Sequence, residues 1–465
     1  MKKLGVVITD GVGFRNFVMS DFITEASAQF DKIIIYSGLP ESCYKNFDNP
    51  KLEIKELAVF KEGKSTWAFR KWKELAHLQK YKSFYGMRDN LKVGYPVNNS
   101  VRSVFIKSLY VFTKYIHSNA SILFAEKLQF SSFSKNAITK EYIRILKEDK
   151  PSHLFFTHQR PPYLAPFLYA AIQSKIPTST FIFSWDNLAS KGRMLGSFDN
   201  FLVWSQLMKD ELLYFYPNVK GQNVEIVGTP QFEPYVLSKY ESSKENFFSK
   251  FNLDPAKKII CYSCADVSIG PNDPIVIKTI AEAIRNNEIE FPVQLLVRTS
   301  PAEDDRRFKA IRDEFPEIIW NVPKWVLTRE NHQESWSQRI PSQEDITDLR
   351  SLLENSDLSI NMCSTMSLDF MLFDKPVINT VFGNRQNGLY DDQRFLNYIH
   401  YKKVTDGNAV TIAKDKKQLI DQINQSLINP DERKKERKNM IDLQIGQELP
   451  GTSKRIAQTL STFNE

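Results

Sequence analysis

The chain is short of cysteine, of long apolar runs and of any repeated or low-complexity tract, and each shortage closes off a class of protein. Cys43, Cys261, Cys264 and Cys363 are the only four cysteines in 465 residues. They are scattered and mostly set in apolar strand-like runs, which excludes a disulfide framework and predicts a reducing compartment with the thiols filling core space. Cys261-Tyr-Ser-Cys264 has redox spacing but neither a partner pair nor a nearby histidine, so no metal or redox site is expected there. With 17 glycines and 22 prolines the chain is neither fibrous nor disordered. Its first residues, Met-Lys-Lys-Leu-Gly-Val-Val-Ile-Thr-Asp10, hold about five apolar residues before an acid, too few for a signal peptide or a membrane span. No later stretch spans a bilayer, which predicts work in the cytoplasm. The pI near 8.9 comes with no nucleic-acid module, and no nucleic-acid partner is expected.

What remains is a soluble-enzyme composition, 42% apolar and 25% charged, in a chain too long for one core. Strand-like runs at 5–9, 32–37, 153–157, 180–184, 201–204 and 224–228 alternate with helical ones, and the alternation resumes at 258–263, 293–297, 317–321, 357–361 and 377–380. Such alternation argues parallel sheets covered by helices on both sides. The implied layout is an acceptor domain at 1–235 with a helical insertion at about 61–150, a nucleotide-donor domain at 236–440, and a terminal helix at 441–465. Two sheets of this kind facing across a cleft are expected, and clefts between domains favour ligands.

The net charge of +7 is uneven: residues 61–147 hold 17 Lys/Arg against 5 Asp/Glu, or +12, leaving −5 for the rest. Aromatic residues interleave this segment, among them Trp67, Trp72, Phe105, Tyr110, Phe112 and Tyr115. The mixture suits an anionic membrane surface or acceptor, or else a solvated helical face over a core stripe.

The most informative stretch is Met362-Cys-Ser-Thr-Met-Ser-Leu-Asp-Phe-Met-Leu-Phe-Asp-Lys-Pro376. It reads as a buried strand entering a helix whose first turn offers Ser364, Thr365 and Ser367. A helix start with free N–H groups and hydroxyls takes phosphate, although Ser-Thr also serves as a plain N-cap. Asp369, four residues past Thr365, puts a carboxylate where a ribose attached to that phosphate would lie. The strand ending at Arg298-Thr-Ser-Pro301 adds Arg298 and Ser300 at the same edge, with a salt bridge to Glu303 or Asp304 as the alternative use of the guanidinium. The turn from Ser263 to Gly270 supplies further small residues and hydroxyls.

In the first half, the turn Asp10-Gly-Val-Gly-Phe-Arg-Asn16 is not a dinucleotide fingerprint. Asn16 holds the third glycine position, and the second strand ends Tyr36-Ser-Gly38 without an acid. The tight turn leaves Asp10 at the rim of the expected cleft. Asp186, in Phe183-Ser-Trp-Asp-Asn-Leu-Ala-Ser-Lys-Gly192, stands beside Trp185 and is a candidate general base with a raised pKa, or the head of an Asx-turn. Trp185, Asn187 and Lys191 of that loop, with Arg160, are candidate acceptor contacts. His158, in Thr157-His-Gln-Arg-Pro-Pro162, is a second candidate base or a satisfied core histidine.

In this order the motifs resemble glycosyltransferases of the GT-B fold, and within them the CDP-glycerol glycerophosphotransferases and related transferases of bacterial surface polysaccharides. Trp185 to Gly192, Gly228-Thr-Pro-Gln-Phe-Glu233, Arg298 to Pro301 and Ser364 to Pro376 carry the resemblance, over roughly residues 150–400. It implies an α/β chain of two facing Rossmann-like parallel-sheet domains. Two departures stand out. Where those transferases have Trp-His-Gly this chain has Trp185-Asp186-Asn187, and where they have Arg-x-His-Pro it has Arg298-Thr-Ser-Pro301.

The expectation is therefore a glycosyltransferase, peripheral at the inner face of the membrane, moving a sugar from a nucleotide-sugar donor to a surface-glycan or lipid-linked acceptor. Arg298, Ser364 and Thr365 would neutralise the diphosphate, Asp369 would hold the ribose and Asp186 would be the base. No cofactor or metal is expected, since the helix dipole and arginine stabilise the leaving charge and no Asp-x-Asp motif closes an apolar strand. Asp304-Asp305 lies in a charged turn. The alternatives are a CDP-polyol phosphotransferase, a nucleotide-sugar epimerase and a non-catalytic glycan- or lipid-binding module.

Overall fold

Apolar runs of a few residues form the inner strands of two parallel sheets, each in its own unit of the chain. The structure is a computed structural model that describes residues 1–330, 332, 334–383 and 392–463. One unit comprises Met1–Pro230 with Gly446–Glu465, the other Gln231–Ile445.

The first unit holds β1 (Lys3–Ile8), β2 (Lys32–Ser37), β3 (Leu52–Glu56), β4 (His153–Phe156), β5 (Thr178–Phe181), β6 (Asn200–Val203) and β7 (Val224–Ile226). They form one parallel sheet in the order β3-β2-β1-β4-β5-β6-β7. Lys-Ile-Ile-Ile-Tyr-Ser in β2 has almost no polar alternation because helices bury both faces. Phe17 packs edge-on against Phe22 and Phe155 at 5.3 Å and Phe181 at 5.6 Å, a cluster in which each buried ring contributes roughly 1.5–3 kcal/mol.

Between β3 and β4 the chain makes five helices, Lys64–Lys80, Tyr85–Val93, Val101–Tyr115, Asn119–Ser131 and Ala137–Asp149. Three of them start where a side chain caps free N–H groups: Ser100 accepts from the amide of Ser103, Ser118 from that of Ser121, and Asn136 from those of Ile138 and Thr139. The helix Lys64–Lys80 packs against both Val101–Tyr115 and Asn119–Ser131.

The chain returns to this unit after residue 445. Gly446 makes the re-entry with φ of +72°, and a Cβ there would fall 2.7 Å from Ser205 Cβ, so glycine is required on both counts. The helix Thr452–Thr462 then packs on the helix Phe22–Gln29, and Lys2 Nζ donates to the Ser461 carbonyl at 2.6 Å.

The second unit holds β8 (Lys258–Ser263), β9 (Val293–Arg298), β10 (Ile319–Asn321), the antiparallel pair β11 (Trp325–Leu327) and β12 (Arg339–Pro341), then β13 (Leu358–Asn361), β14 (Val377–Thr380) and β15 (Thr411–Ala413). Its six-stranded parallel sheet runs β10-β9-β8-β13-β14-β15.

Both sheets reverse their winding at the centre. In the first, β1 and β4 are neighbours from which the chain proceeds in opposite directions; in the second, β8 and β13 are. Connections leaving such a pair diverge and open a crevice at the carboxyl ends of the strands. Among the described residues, no helix is long and apolar enough to cross a membrane.

Candidate functional site

In the first unit, the switch point gathers Asp10, just past β1, and His158, just past β4, residues 148 positions apart in sequence. Asp10 caps the helix Gly11–Phe17, its Oδ1 accepting from the Gly13 amide at 2.7 Å, while its Oδ2 lies 3.1 Å from His158 Nδ1. It is fully buried, which corrects its expected place at an open rim: the cap and the imidazole together enclose the carboxylate. The His158 ring stacks on Phe183 at 3.9 Å and 14°. Burial holds its pKa below the usual imidazole value, against the opposing pull of Asp10. Among the described residues, His158 Nε2 has no hydrogen-bond partner. A neutral imidazole whose Nδ1–H is fixed by a carboxylate presents Nε2 as a base.

The loop after β5 lies beside this pair. Gln159 bridges the two, its Nε2 donating to Asn187 Oδ1 at 2.8 Å and its Oε1 accepting from the Phe183 amide at 3.1 Å. Asp186 is partly exposed; Asn187 Nδ2 donates to its Oδ1 at 2.9 Å and Lys191 Nζ approaches Oδ2 at 3.3 Å. The carboxylate expected to stand against Trp185 therefore has an amide and a lysine on it. Trp185 and Asn187 are buried, at 4% and 6% exposure, whereas Lys191 and Arg160 are partly exposed. Among the described residues, Arg160 makes no hydrogen bond or ion pair.

In the second unit, the last residues of β8, β9 and β13 stand side by side, Ser263 opposite both Arg298 and Asn361. Cys363 takes a left-handed backbone, φ +46°, and turns the chain from β13 into the helix Met366–Leu372. Asn361 organises this turn: its Oδ1 accepts from the Ser364 amide at 3.0 Å, Asn379 Nδ2 at 3.0 Å and Ser367 Oγ at 3.2 Å. Its own Nδ2 is buried without a partner among the described residues. Ser364 and Thr365 are partly exposed.

Ser367 does not join them. It is fully buried, 2.8 Å from the Tyr401 hydroxyl and bonded to Asn361 and Asn379, so this hydroxyl braces the helix from beneath. Asp369 is 4% exposed and its Oδ1 accepts from the Tyr235 hydroxyl. Ser263 is buried at 2%, and Ser300 Oγ accepts from the Ala302 amide at 3.2 Å.

Arg298 is placed quite differently from the expected diphosphate cation, and its partner is neither Glu303 nor Asp304. Its Nη2 donates to Asp345 Oδ2 at 3.0 Å and its Nη1 to Asn321, with Arg298 and Asp345 at 6% and 2% exposure. Asp345 also accepts from Trp325 Nε1 at 2.9 Å and the Lys324 amide at 3.1 Å. This is a buried ion pair that ties β9 to the helix Gln343–Asn355. The cation that shapes the turn after β8 is instead Arg307, which donates to the carbonyls of Ala265 and Gly270 at 2.7 Å each and to Asp273 at 3.0 Å. Burial pushes the Asp273 carboxyl up to about 7, although Arg307 pulls it down.

Asn361, Gln159, Phe183, Tyr235 and Asp345 were not anticipated from the sequence. Asn361 alone carried a signal, as the last residue of a strand just before the phosphate-type turn. Among the described residues no cysteine pairs in a disulfide. Among the described residues no group of three or more His, Cys, Asp or Glu is placed to hold a metal ion.

Two Rossmann-like parallel-sheet units in one chain define the class: this is a GT-B fold, as the motifs implied. No family model and no curated protein sequence matches the chain. Among solved structures, the UDP-GlcNAc 2-epimerase from Neisseria meningitidis bound to UDP-GlcNAc is similar with a TM-score of 0.54 and 12% identity, over 99% of this chain and 100% of that one. S. aureus MnaA with UDP gives 0.52 and 11%, over 100% and 97%. The wall teichoic acid polymerase TagF soaked with CDPG gives 0.50 and 10%, over 100% and 88%. At such identities the likeness is one of fold.

Proposed function

We propose that the chain is a metal-independent glycosyltransferase that moves a sugar from a nucleotide-sugar donor to a surface-glycan or lipid-linked acceptor at the inner face of the membrane. The observation that carries this reading is that each sheet has its polar candidates at its topological switch point, where α/β sheets take ligands. In the second unit the partly exposed hydroxyls of Ser364 and Thr365 would meet the diphosphate, and Asp369 would share its carboxylate between Tyr235 and a ribose hydroxyl. Solved structures with this fold that carry UDP or UDP-GlcNAc support a nucleotide sugar as the donor.

In the first unit the Asp10–His158 pair is the better base. His158 Nε2 would take the proton of the acceptor hydroxyl, Asp10 would stabilise the resulting imidazolium, and the freed oxygen would attack the anomeric carbon as its bond to the diphosphate breaks. Asp186 and Lys191, at 3.3 Å from each other, would then position the acceptor, with Arg160 offered to an anionic group on it. A second reading, epimerisation of a UDP-sugar without any acceptor, draws on the epimerases that share the fold.

The test begins with thermal stabilisation by UDP, GDP, CDP and dTDP. A nucleoside diphosphate at about 100 times its Kd should stabilise its unit by about 2.7 kcal/mol. The matching nucleotide sugar should then add one sugar mass to an acceptor, and His158→Ala should lower turnover roughly a hundredfold with nucleotide stabilisation kept. A phosphate travelling with the transferred group would identify a polyol-phosphate transferase, and an isomerised donor an epimerase. Silence from all four nucleotides would leave a non-catalytic module.

A further inference from the structure

The helix Val101–Tyr115 is amphipathic in an unusual sense. Its inner face, Ser103, Tyr110 and Thr113, is buried against neighbouring helices, and its outer face is apolar too. Val101, Val104, Phe105, Val111, Phe112 and Tyr115 are 90%, 51%, 41%, 63%, 38% and 76% exposed. Their spacing of three and four residues puts them on one outward stripe, about 22 Å long at 1.5 Å per residue. Ser108, the one polar residue on that stripe, turns its hydroxyl back to the Val104 carbonyl at 3.0 Å. Isolated exposed apolar residues are commonplace, but a contiguous stripe marks a surface that something covers.

Charge indicates the occupant. Arg102, Lys107 and Lys114 flank the stripe, and Arg102 rests over the Trp67 ring at 4.7 Å. None of the three forms an ion pair among the described residues, and residues 90–125 contain no Asp or Glu at all. A second copy of the chain would bring the same cations against these, with no carboxylate to receive them. An apolar stripe edged by cations matches a bilayer interface with anionic headgroups, where side chains enter the acyl boundary and the flanking cations meet phosphate.

We propose that the outward face of the helix Val101–Tyr115 docks the protein on an anionic lipid surface, lying in the plane of the interface. This deepens the membrane location in the proposed function by naming the surface that docks, and its failure is distinguishable from failure of the transferase reading because lipid binding is measured on protein without donor.

The experiment is co-sedimentation of the full chain with vesicles of phosphatidylcholine alone or mixed with phosphatidylglycerol. Binding should require phosphatidylglycerol and weaken as salt is raised. Val104→Glu with Val111→Glu should abolish it, with the thermal transition unchanged because both side chains already face solvent. Lys107→Ala and Lys114→Ala should each lower partitioning roughly fivefold. No binding to the anionic vesicles, equal binding to both vesicle types, or binding that survives the double glutamate variant overturns the proposal. So does sedimentation velocity showing that the glutamates dissolve an oligomer while lipid binding stays absent, which would assign the stripe to a second copy.

Discussion

Replacing Asp345 by alanine should unfold the second unit far more readily than removing a surface acid would. The carboxylate lies at 2% exposure and receives Arg298 Nη2, Trp325 Nε1 and the Lys324 amide. Asp345→Ala strands a guanidinium that is itself only 6% exposed, and breaking a buried pair from one side costs about 3–5 kcal/mol. For a unit of this size, at about 2–4 °C per kcal/mol, its thermal transition should fall by roughly 6–20 °C. Arg298→Met combined with Asp345→Leu should recover more than half of that loss, because no charge is left buried and the Lys324 and Trp325 donors lie close enough to solvent to turn to water. Calorimetry of the nucleotide complex completes the argument. A guanidinium engaged with Asp345 leaves nucleoside diphosphate affinity within about threefold in Arg298→Met, whereas a direct charge-assisted contact would make the loss about tenfold or more. A loss of less than about 1 kcal/mol in Asp345→Ala would mean that the pair is not a buried structural one.

Two further perturbations separate the candidate bases and test the buried imidazoles. Asp186→Asn should leave turnover within about tenfold of the parent, since Lys191 and Asn187 engage that carboxylate; a hundredfold loss would move the base from His158 to Asp186. His153, at the start of β4, is fully buried beside Ser179, and burial pushes its pKa down to about 4. Below about pH 6.5 the unfolded chain takes up a proton that the native one refuses, so this residue's contribution is complete above that value and is lost as pH falls towards 4. Urea titrations at stepped pH should show up to about 1.4 kcal/mol per pH unit of this dependence disappearing in His153→Gln; an unchanged slope would assign it to other groups.

Strands built on apolar runs, such as Ile33-Ile-Ile35 in β2 and Ile259-Ile-Cys261 in β8, were legible in the sequence because burial on both faces removes polar alternation. β3 was not: Leu-Glu-Ile-Lys-Glu is half polar at a sheet edge, and β11, β12 and β15 have three residues each. The run expected at 180–184 is the strand Thr178–Phe181, whose polar opening Thr-Ser-Thr conceals its start. At the sites, local chemistry was readable and long-range pairing was not. The turn from β13 into a helix follows from residues 362–376, but which hydroxyl faces inward depends on Tyr401, and the use of Arg298 depends on a carboxylate 47 residues away. Asp10 and His158 could each be nominated, yet only the parallel pairing of β1 with β4 joins them.

The return of residues 446–465 to the first unit has a consequence for biogenesis. The helix Thr452–Thr462 seals the helix Phe22–Gln29, yet a ribosome makes it after every strand of both sheets. The nascent amino-terminal sheet must therefore wait, with that apolar flank uncovered, while the later-made unit can already close. A chain that stalls before residue 446 should accordingly become a chaperone client through its earliest-made segment, even though its most recently made unit is whole.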